Sequence, residues 1–242
     1  MKRLILITGG SKGLGAELCQ QYTDTGDTVI EFSRSAPFLF SVQVDMADPD
    51  IARRAFDTRF ARSAEESWDE IIAINNAAVL GPIGPLHKQS TVEIQQHIAV
   101  NITSGMLFFA AVQQHFSWHT GRKLLVSITS GAATHGYAGW SLYCASKAAM
   151  DNHVRALAEE QQSTEQGQGF IPISINPGLV DTSMQELIRS CSPREFPAVE
   201  KFHQRLQDGK LQPPARVAAA VRSICAQPAL ESGAIYKADT WM

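Results

Sequence analysis

The sequence predicts an α/β fold: a doubly wound, seven-stranded parallel sheet with helices on both faces, built by a single domain over residues 1–242. Three observations predict it. Apolar runs of four to eight residues alternate with helix-period stretches of a dozen or more, the pattern of parallel strands joined by right-handed crossovers. A glycine-rich turn directly follows the first apolar run. No proline- or serine-rich linker, composition shift or internal repeat divides the chain.

In chain order, strands are predicted over residues 3–8, 28–33, 39–44, 70–75, 123–129, 171–176 and 234–237. Helices are predicted between them over 14–25, 49–61, 91–116, 141–161, 182–189, 197–207 and 215–226. The stretch from about 177 to 214 is longer and more polar than a crossover needs. Because it follows the sixth strand, it falls at the carboxyl ends of the strands, where open α/β sheets bind ligands. It is expected to form the wall or lid of a substrate pocket.

Composition narrows the function. With 21 Lys+Arg against 24 Asp+Glu the net charge is −3, and 44% of residues are hydrophobic, so the chain is globular and lacks the basic excess of a nucleic-acid binder. No apolar run approaches the ~20 residues that span a bilayer, so no membrane partner is expected. Cys19, Cys144, Cys191 and Cys225 are scattered, with neither a C-x-x-C pair nor a metal-ligand cluster. They read as free thiols of a reducing compartment, which makes the cytoplasm the expected location and leaves no metal site.

The turn Thr8-Gly9-Gly10-Ser11-Lys12-Gly13-Leu14-Gly15 opens the first helix. Its glycines permit a sharp turn and close approach of backbone to a pyrophosphate, which the helix N-terminus attracts through its free N–H groups. Tyr143 and Lys147 are spaced i, i+4, so a helix presents them on one face, and Ser130 stands at the end of the fifth strand. An ammonium beside a phenol favours the phenolate and moves it toward use as an acid/base, and a serine hydroxyl can hydrogen-bond the same substrate oxygen. A surface Tyr/Lys pair is the ordinary alternative. The convergence of Ser130, Asn101 and the glycine turn outweighs it.

These residues resemble the classical short-chain dehydrogenase/reductase family. The glycine spacing G-x-x-x-G-x-G, Asn75-Asn76-Ala77-Ala78 where the family has N-N-A-G, Asn101 in a helix, Ser130, Tyr143-Cys-Ala-Ser-Lys147, and Asn176-Pro177-Gly178 with Thr182 occur in the family's order. The resemblance implies a Rossmann-type fold and a catalytic set of Asn101, Ser130, Tyr143 and Lys147. Tyr143 would protonate a carbonyl oxygen as hydride arrives, Ser130 would polarise that carbonyl, and Lys147 would hold the nicotinamide ribose. Asn101 would hold a water linking Lys147 to solvent, or else satisfy helix backbone groups at a kink. The implied cofactor contacts are Thr8, Gly9, Ser11, Lys12, Gly13, Leu14, Gly15, Ser33, Arg34, Asp45, Met46, Asn76, Ala77, Ala78, Tyr143, Lys147, Pro177, Gly178, Val180 and Thr182. A homo-oligomer, dimer or tetramer, paired through the helices of Asn101 and Tyr143 is also implied.

The second strand ends Glu31-Phe32-Ser33-Arg34-Ser35, with Ser33 where an NAD enzyme places an acid. Arg34 and Lys12 could together hold a 2′-phosphate, so NADPH/NADP is the expected cofactor, unless a register shift of two brings Glu31 to the ribose. Gly139-Trp140-Ser141-Leu142-Tyr143-Cys144 and the stretch from Met184 to Leu211 resemble a narrower branch, sepiapterin reductase and bacterial benzil reductases. That implies a small-molecule carbonyl substrate, a 1,2-diketone, against Tyr137, Trp140, Leu179 and Met184. Lys237 stands where sepiapterin reductase carries an anchoring aspartate, with Asp239 nearby, which counts against a pterin. A pteridine reductase, an alcohol dehydrogenase running in the oxidative direction and a non-catalytic NADP(H)-sensing protein are the competing expectations.

Overall fold

A computed structural model describes residues 1–162 and 169–242. Seven strands, β1 (Arg3–Thr8), β2 (Thr28–Ser33), β3 (Ser41–Gln43), β4 (Glu70–Asn75), β5 (Arg122–Ile128), β6 (Ile171–Asn176) and β7 (Ile235–Lys237), form one sheet in the order 3-2-1-4-5-6-7. Every pairing is parallel. The order reverses between β1 and β4, so a crevice opens there at the carboxyl ends of the strands.

Strand periodicity divides the core. In β1, Leu4 and Leu6 face one layer while Ile5 and Ile7 face the other, and in β4 Ile71 and Ala73 separate from Ile72 and Ile74 in the same way. The parallel register sets Leu4 beside Ile71 and Ile5 beside Ile72, which keeps each layer continuous across the sheet. One layer packs α2 (Pro49–Ala64), α4 (Ser104–Phe116) and α5 (Ser141–Gln162); the other packs α1 (Gly13–Asp24) and α8 (Pro214–Cys225). Phe32 of β2 meets Phe56, Phe60 and Phe108 edge-on, with centroids 5.0, 5.6 and 6.4 Å away, an arrangement favoured by the ring quadrupoles.

Most predicted elements match within three residues at each end, and two differ in extent or continuity. Residues 39–44 form only the three-residue edge strand β3; Leu39 is fully exposed, and Phe38 and Phe40 stack on each other just before the strand. The predicted helix over 91–116 is divided into α3 (Thr91–Ile98), a π-turn at Ala99–Thr103 and α4. At its centre Asn101 accepts from the Val79 N–H and donates to the Val79 carbonyl, both at 2.8 Å, tying the helix to the chain beyond β4. Such single π-turns accompany functional sites.

The segment beyond β6 carries α6 (Ser183–Arg189) and α7 (Val199–Gln207). It is held back toward the sheet where Gln212 N–H donates to Leu179 O at 2.7 Å and Asp181 N–H to Gln212 O at 2.9 Å. No helix among the described residues is long and apolar enough to cross a membrane.

Candidate active site

A cavity of about 1070 Å³ lies at the switch point, lined from the ends of β1, β2, β4, β5 and β6 and from α3, α5, α6 and α7. Its volume reaches the upper end for a small-ligand site. Two close approaches shape its floor. A Cβ on Gly15 would stand 2.2 Å from the Gly9 carbonyl oxygen, so α1 could not start where it does with any other residue. At the far end Gly139 has φ +86 and its missing Cβ would meet the Glu195 carbonyl at 2.2 Å, which docks the start of α5 against the 177–214 segment.

The glycine turn is clipped to the chain beyond β4. The Thr8 hydroxyl donates to Asn75 Oδ1 at 3.0 Å and accepts from Asn76 and Ala77 N–H at 3.1 Å each, and Asn76 Nδ2 donates to Gly9 O at 2.8 Å. Thr8 is therefore buried and does not line the cavity, in contrast to its expected place among the cofactor contacts. Every other residue expected at the cofactor lines it, including Ser11, Leu14, Met46, Pro177 and Val180. Ala78, which replaces the family's glycine, stands outside the left-handed region, so its methyl group costs no backbone strain.

The turn fits a dinucleotide phosphate. Helix α1 starts at Lys12 without a side-chain cap, so its first-turn N–H groups have no side-chain partner there. Lys12 and Arg34 are exposed at the rim of the cavity, and neither has an ion-pair partner among the described residues. Asp45 accepts from Ala47 N–H at 3.0 Å, leaving its second carboxylate oxygen without a recorded bond. The Glu31 alternative is excluded geometrically: the side chain is fully buried beneath the turn, with Oε1 accepting from Gly10 N–H at 2.8 Å, and does not line the cavity.

At the centre, β5 delivers Ser130 and α5 delivers Tyr143 and Lys147. The Ser130 hydroxyl accepts from Ala132 N–H at 3.1 Å and lies close enough to the Tyr143 side chain to lower its pKa. Burial nevertheless pushes the Tyr143 phenol up to about 12, against the lowering effect of Ser130. Lys147 donates to the Ile128 carbonyl at 2.8 Å, and its nitrogen lies 5.8 Å from the Tyr143 ring centroid. Burial lowers its pKa to about 8, only partly countered by Asp151. Burial, rather than the expected pull of the Lys147 ammonium, thus sets the phenol, and Tyr143 is held as a neutral acid.

Asn101 is 3% exposed and does not line the cavity; its amide serves Val79 and also lies 3.0 Å from His97 Nε2. The amide thus satisfies backbone groups of a neighbouring segment rather than of its own helix. The His97 Nδ1 sits 2.7 Å from Gly81 O, so the network is complete when Nδ1 carries the proton and Nε2 accepts from Asn101. Desolvation first, with Lys147 adding to it, lowers the His97 pKa below 6.5, against hydrogen bonds to Gly81 and Leu142. Because the folded pKa lies below the unfolded one, the stabilisation is present above about pH 6.5 and is lost as pH falls through the folded value. His97→Phe should therefore flatten the acid-side drop of the urea midpoint between pH 7 and 5. An unchanged slope would remove His97 from the acid response.

Tyr137, Trp140, Leu179 and Met184, the residues expected at a substrate, line the cavity. Trp140 stacks on Phe196 at 4.3 Å and meets Tyr143 edge-on at 5.7 Å. Sequence reasoning missed Phe202 and Arg205 of α7, His97 of α3, and Leu80. The strong amphipathic pattern of α7 was the available signal for Phe202, but it names no neighbour. Lys237 and Asp239 do not line the cavity. No cluster of three metal-ligating side chains occurs among the described residues.

Comparison with known proteins agrees with this geometry. The family model for short chain dehydrogenase matches residues 3–192. A benzil reductase ((S)-benzoin forming) of Bacillus subtilis (strain 168) is 35% identical over 238 residues, covering 96% of this chain and 97% of the relative. The sepiapterin reductase of Mus musculus is 30% identical over 229 residues, 85% of each chain. Among solved structures, the KRED1-Pglu enzyme superposes with a TM-score of 0.82 at 24% identity, covering 97% of this chain and 100% of that one. ElxO with NADP bound superposes with a TM-score of 0.73 at 18% identity, covering 98% and 97%; both of these likenesses concern the fold alone. A glycine turn at the switch point, a Ser-Tyr-Lys centre and relatives that span nearly the whole chain lead to one conclusion: the chain belongs to the short-chain dehydrogenase/reductase family, in the branch of the benzil and sepiapterin reductases, and is an oxidoreductase.

Proposed function

We propose that the protein is an NADPH-dependent carbonyl reductase acting on 1,2-diketones of the benzil kind. The observation that carries this reading is the arrangement of one cavity, with Lys12 and Arg34 at one end, Ser130, Tyr143 and Lys147 at the centre, and an aromatic wall at the other end. The nicotinamide cofactor supplies hydride when bound. The chain supplies the rest: Tyr143 donates its proton to the carbonyl oxygen, Ser130 hydrogen-bonds that oxygen, and Lys147 holds ribose hydroxyls and the local positive charge. A phenol pushed up to about 12 is protonated at neutral pH, which suits reduction better than oxidation.

Lys12 and Arg34 favour NADPH because a 2′-phosphate between them gains charge-assisted hydrogen bonds, and among the described residues no carboxylate is paired with either. The pteridine reading draws on the mouse relative, but Lys237 and Asp239 lie away from the cavity. The test is consumption of NADPH, and separately NADH, with benzil and with sepiapterin. Rapid NADPH oxidation with benzil is expected. The Lys12→Ala/Arg34→Ala protein should raise the KM for NADPH by about 10–100-fold while barely changing that for NADH. Equal use of both cofactors by the wild type would refute the cofactor reading, and no turnover of benzil would refute the diketone reading.

A further inference from the structure

The aromatic wall ends in a cation that the reduction of a neutral diketone does not use. Trp140 lies against Tyr143 on one side and meets Phe202 of α7 edge-on at 5.4 Å on the other. One turn along α7, the Arg205 guanidinium lies over the Phe202 ring, 4.7 Å from its centroid. Arg205 and Phe202 line the same cavity as Ser130 and Tyr143. No carboxylate among the described residues pairs with Arg205, although the surface carries several other ion pairs.

Charge at this end favours an anion. The other cations of the cavity stand elsewhere, Lys12 and Arg34 at the ends of β1 and β2 and Lys147 on α5, where it donates to the Ile128 carbonyl. The carboxylate lining the α3 side is Glu93, which is engaged in its helix cap, accepting from Ser90 N–H at 2.9 Å and Ser90 Oγ at 2.7 Å. A guanidinium stacked on an aromatic face is weakly hydrated and keeps its planar edge free, which is the geometry that takes a carboxylate in two parallel hydrogen bonds.

We propose that Arg205 is a specificity-determining residue and that the site takes aryl ketones bearing a carboxylate. The aryl group would lie along Trp140 and Phe202, the ketone at Ser130 and Tyr143, and the carboxylate on Arg205. The proposal rests on the carbonyl-reductase reading and narrows its substrate class. The chemistry balances as in any ketone reduction: NADPH is oxidised as hydride bonds to the carbonyl carbon, the C=O π pair takes the Tyr143 proton, and the product is a hydroxy acid.

The test compares acids with their neutral esters. Initial rates of NADPH oxidation would be measured with 3-acetylbenzoate and 4-acetylbenzoate, in which the ring separates ketone from carboxylate, each against its methyl ester, for wild type, Arg205→Leu and Arg205→Lys. The wild type should favour at least one acid over its ester by about tenfold or more in kcat/KM, mainly through KM. In Arg205→Leu that ratio should collapse toward unity, and Arg205→Lys should restore part of it. Circular dichroism of each variant separates this result from unfolding. Reduction of the esters with no preference for either acid overturns the proposal alone, as does an acid preference that survives Arg205→Leu. Failure to reduce benzil, acids and esters alike overturns the carbonyl-reductase reading and this proposal with it.

Discussion

Tyr143→Phe is expected to lower kcat for benzil reduction by about 10³-fold, within the range that a positioned general acid contributes. The variant removes only the hydroxyl. The ring keeps its edge-on contact with Trp140, and Ser130 still accepts from Ala132. Folding and cofactor binding should survive, so cofactor fluorescence titration would give a Kd near that of the wild type while turnover disappears. Activity retained within tenfold would mean that water or another group delivers the proton, and the role given to Tyr143 would fall. Serine supplies an independent check. Ser130→Ala removes one hydrogen bond to the reacting oxygen and should cost less than the loss of the acid itself.

The grouping of Ser130, Tyr143 and Lys147 in one cavity was legible in the sequence because its determinants are local. The i, i+4 spacing of Tyr143 and Lys147 fixes their common face once a helix forms, and Ser130 is placed by the end of a strand whose apolar run is plain. The bounds of β1, β2, β4 and β6 were legible for the same reason: buried parallel strands are apolar throughout and end at turn residues. What failed depends on partners far away in sequence. The π-turn at Asn101 exists because its amide finds Val79, and no periodicity in 91–116 announces that contact. Thr8 looked like a cofactor contact, but its hydroxyl is used by Asn75, Asn76 and Ala77, 67 to 69 residues away. Phe202 and Arg205 enter the cavity only because the 177–214 segment folds back over the sheet. Even the direction of the Tyr143 shift turned on burial, which spacing does not report.

Lys147→Met should abolish turnover and at the same time stabilise the ligand-free protein. Lys147 is 7% exposed, its pKa is lowered to about 8 mainly by burial, and its recorded hydrogen bond goes to Ile128 O. Holding an ammonium there costs the free protein roughly 1–3 kcal/mol at neutral pH. Methionine fills the same channel without that cost, leaving one carbonyl unpaired, and the melting temperature should rise by a few degrees. The pH dependence distinguishes this cause from better packing. Because the folded pKa lies below the unfolded value of 10.5, the unfolded chain binds the extra proton between about pH 8 and 10.5, and this residue's contribution to stability rises with pH across that window. The advantage of the variant should therefore be full at pH 7 and shrink toward pH 10. An advantage independent of pH would assign the gain to packing. The same titration should appear in catalysis: kcat/KM of the wild type, which reports the free enzyme, should decline as pH rises through about 8, where Lys147 loses its charge while Tyr143 keeps its proton. A buried ammonium that weakens the empty protein and is needed in the loaded one is the trade expected when charge is held in place before the reaction requires it.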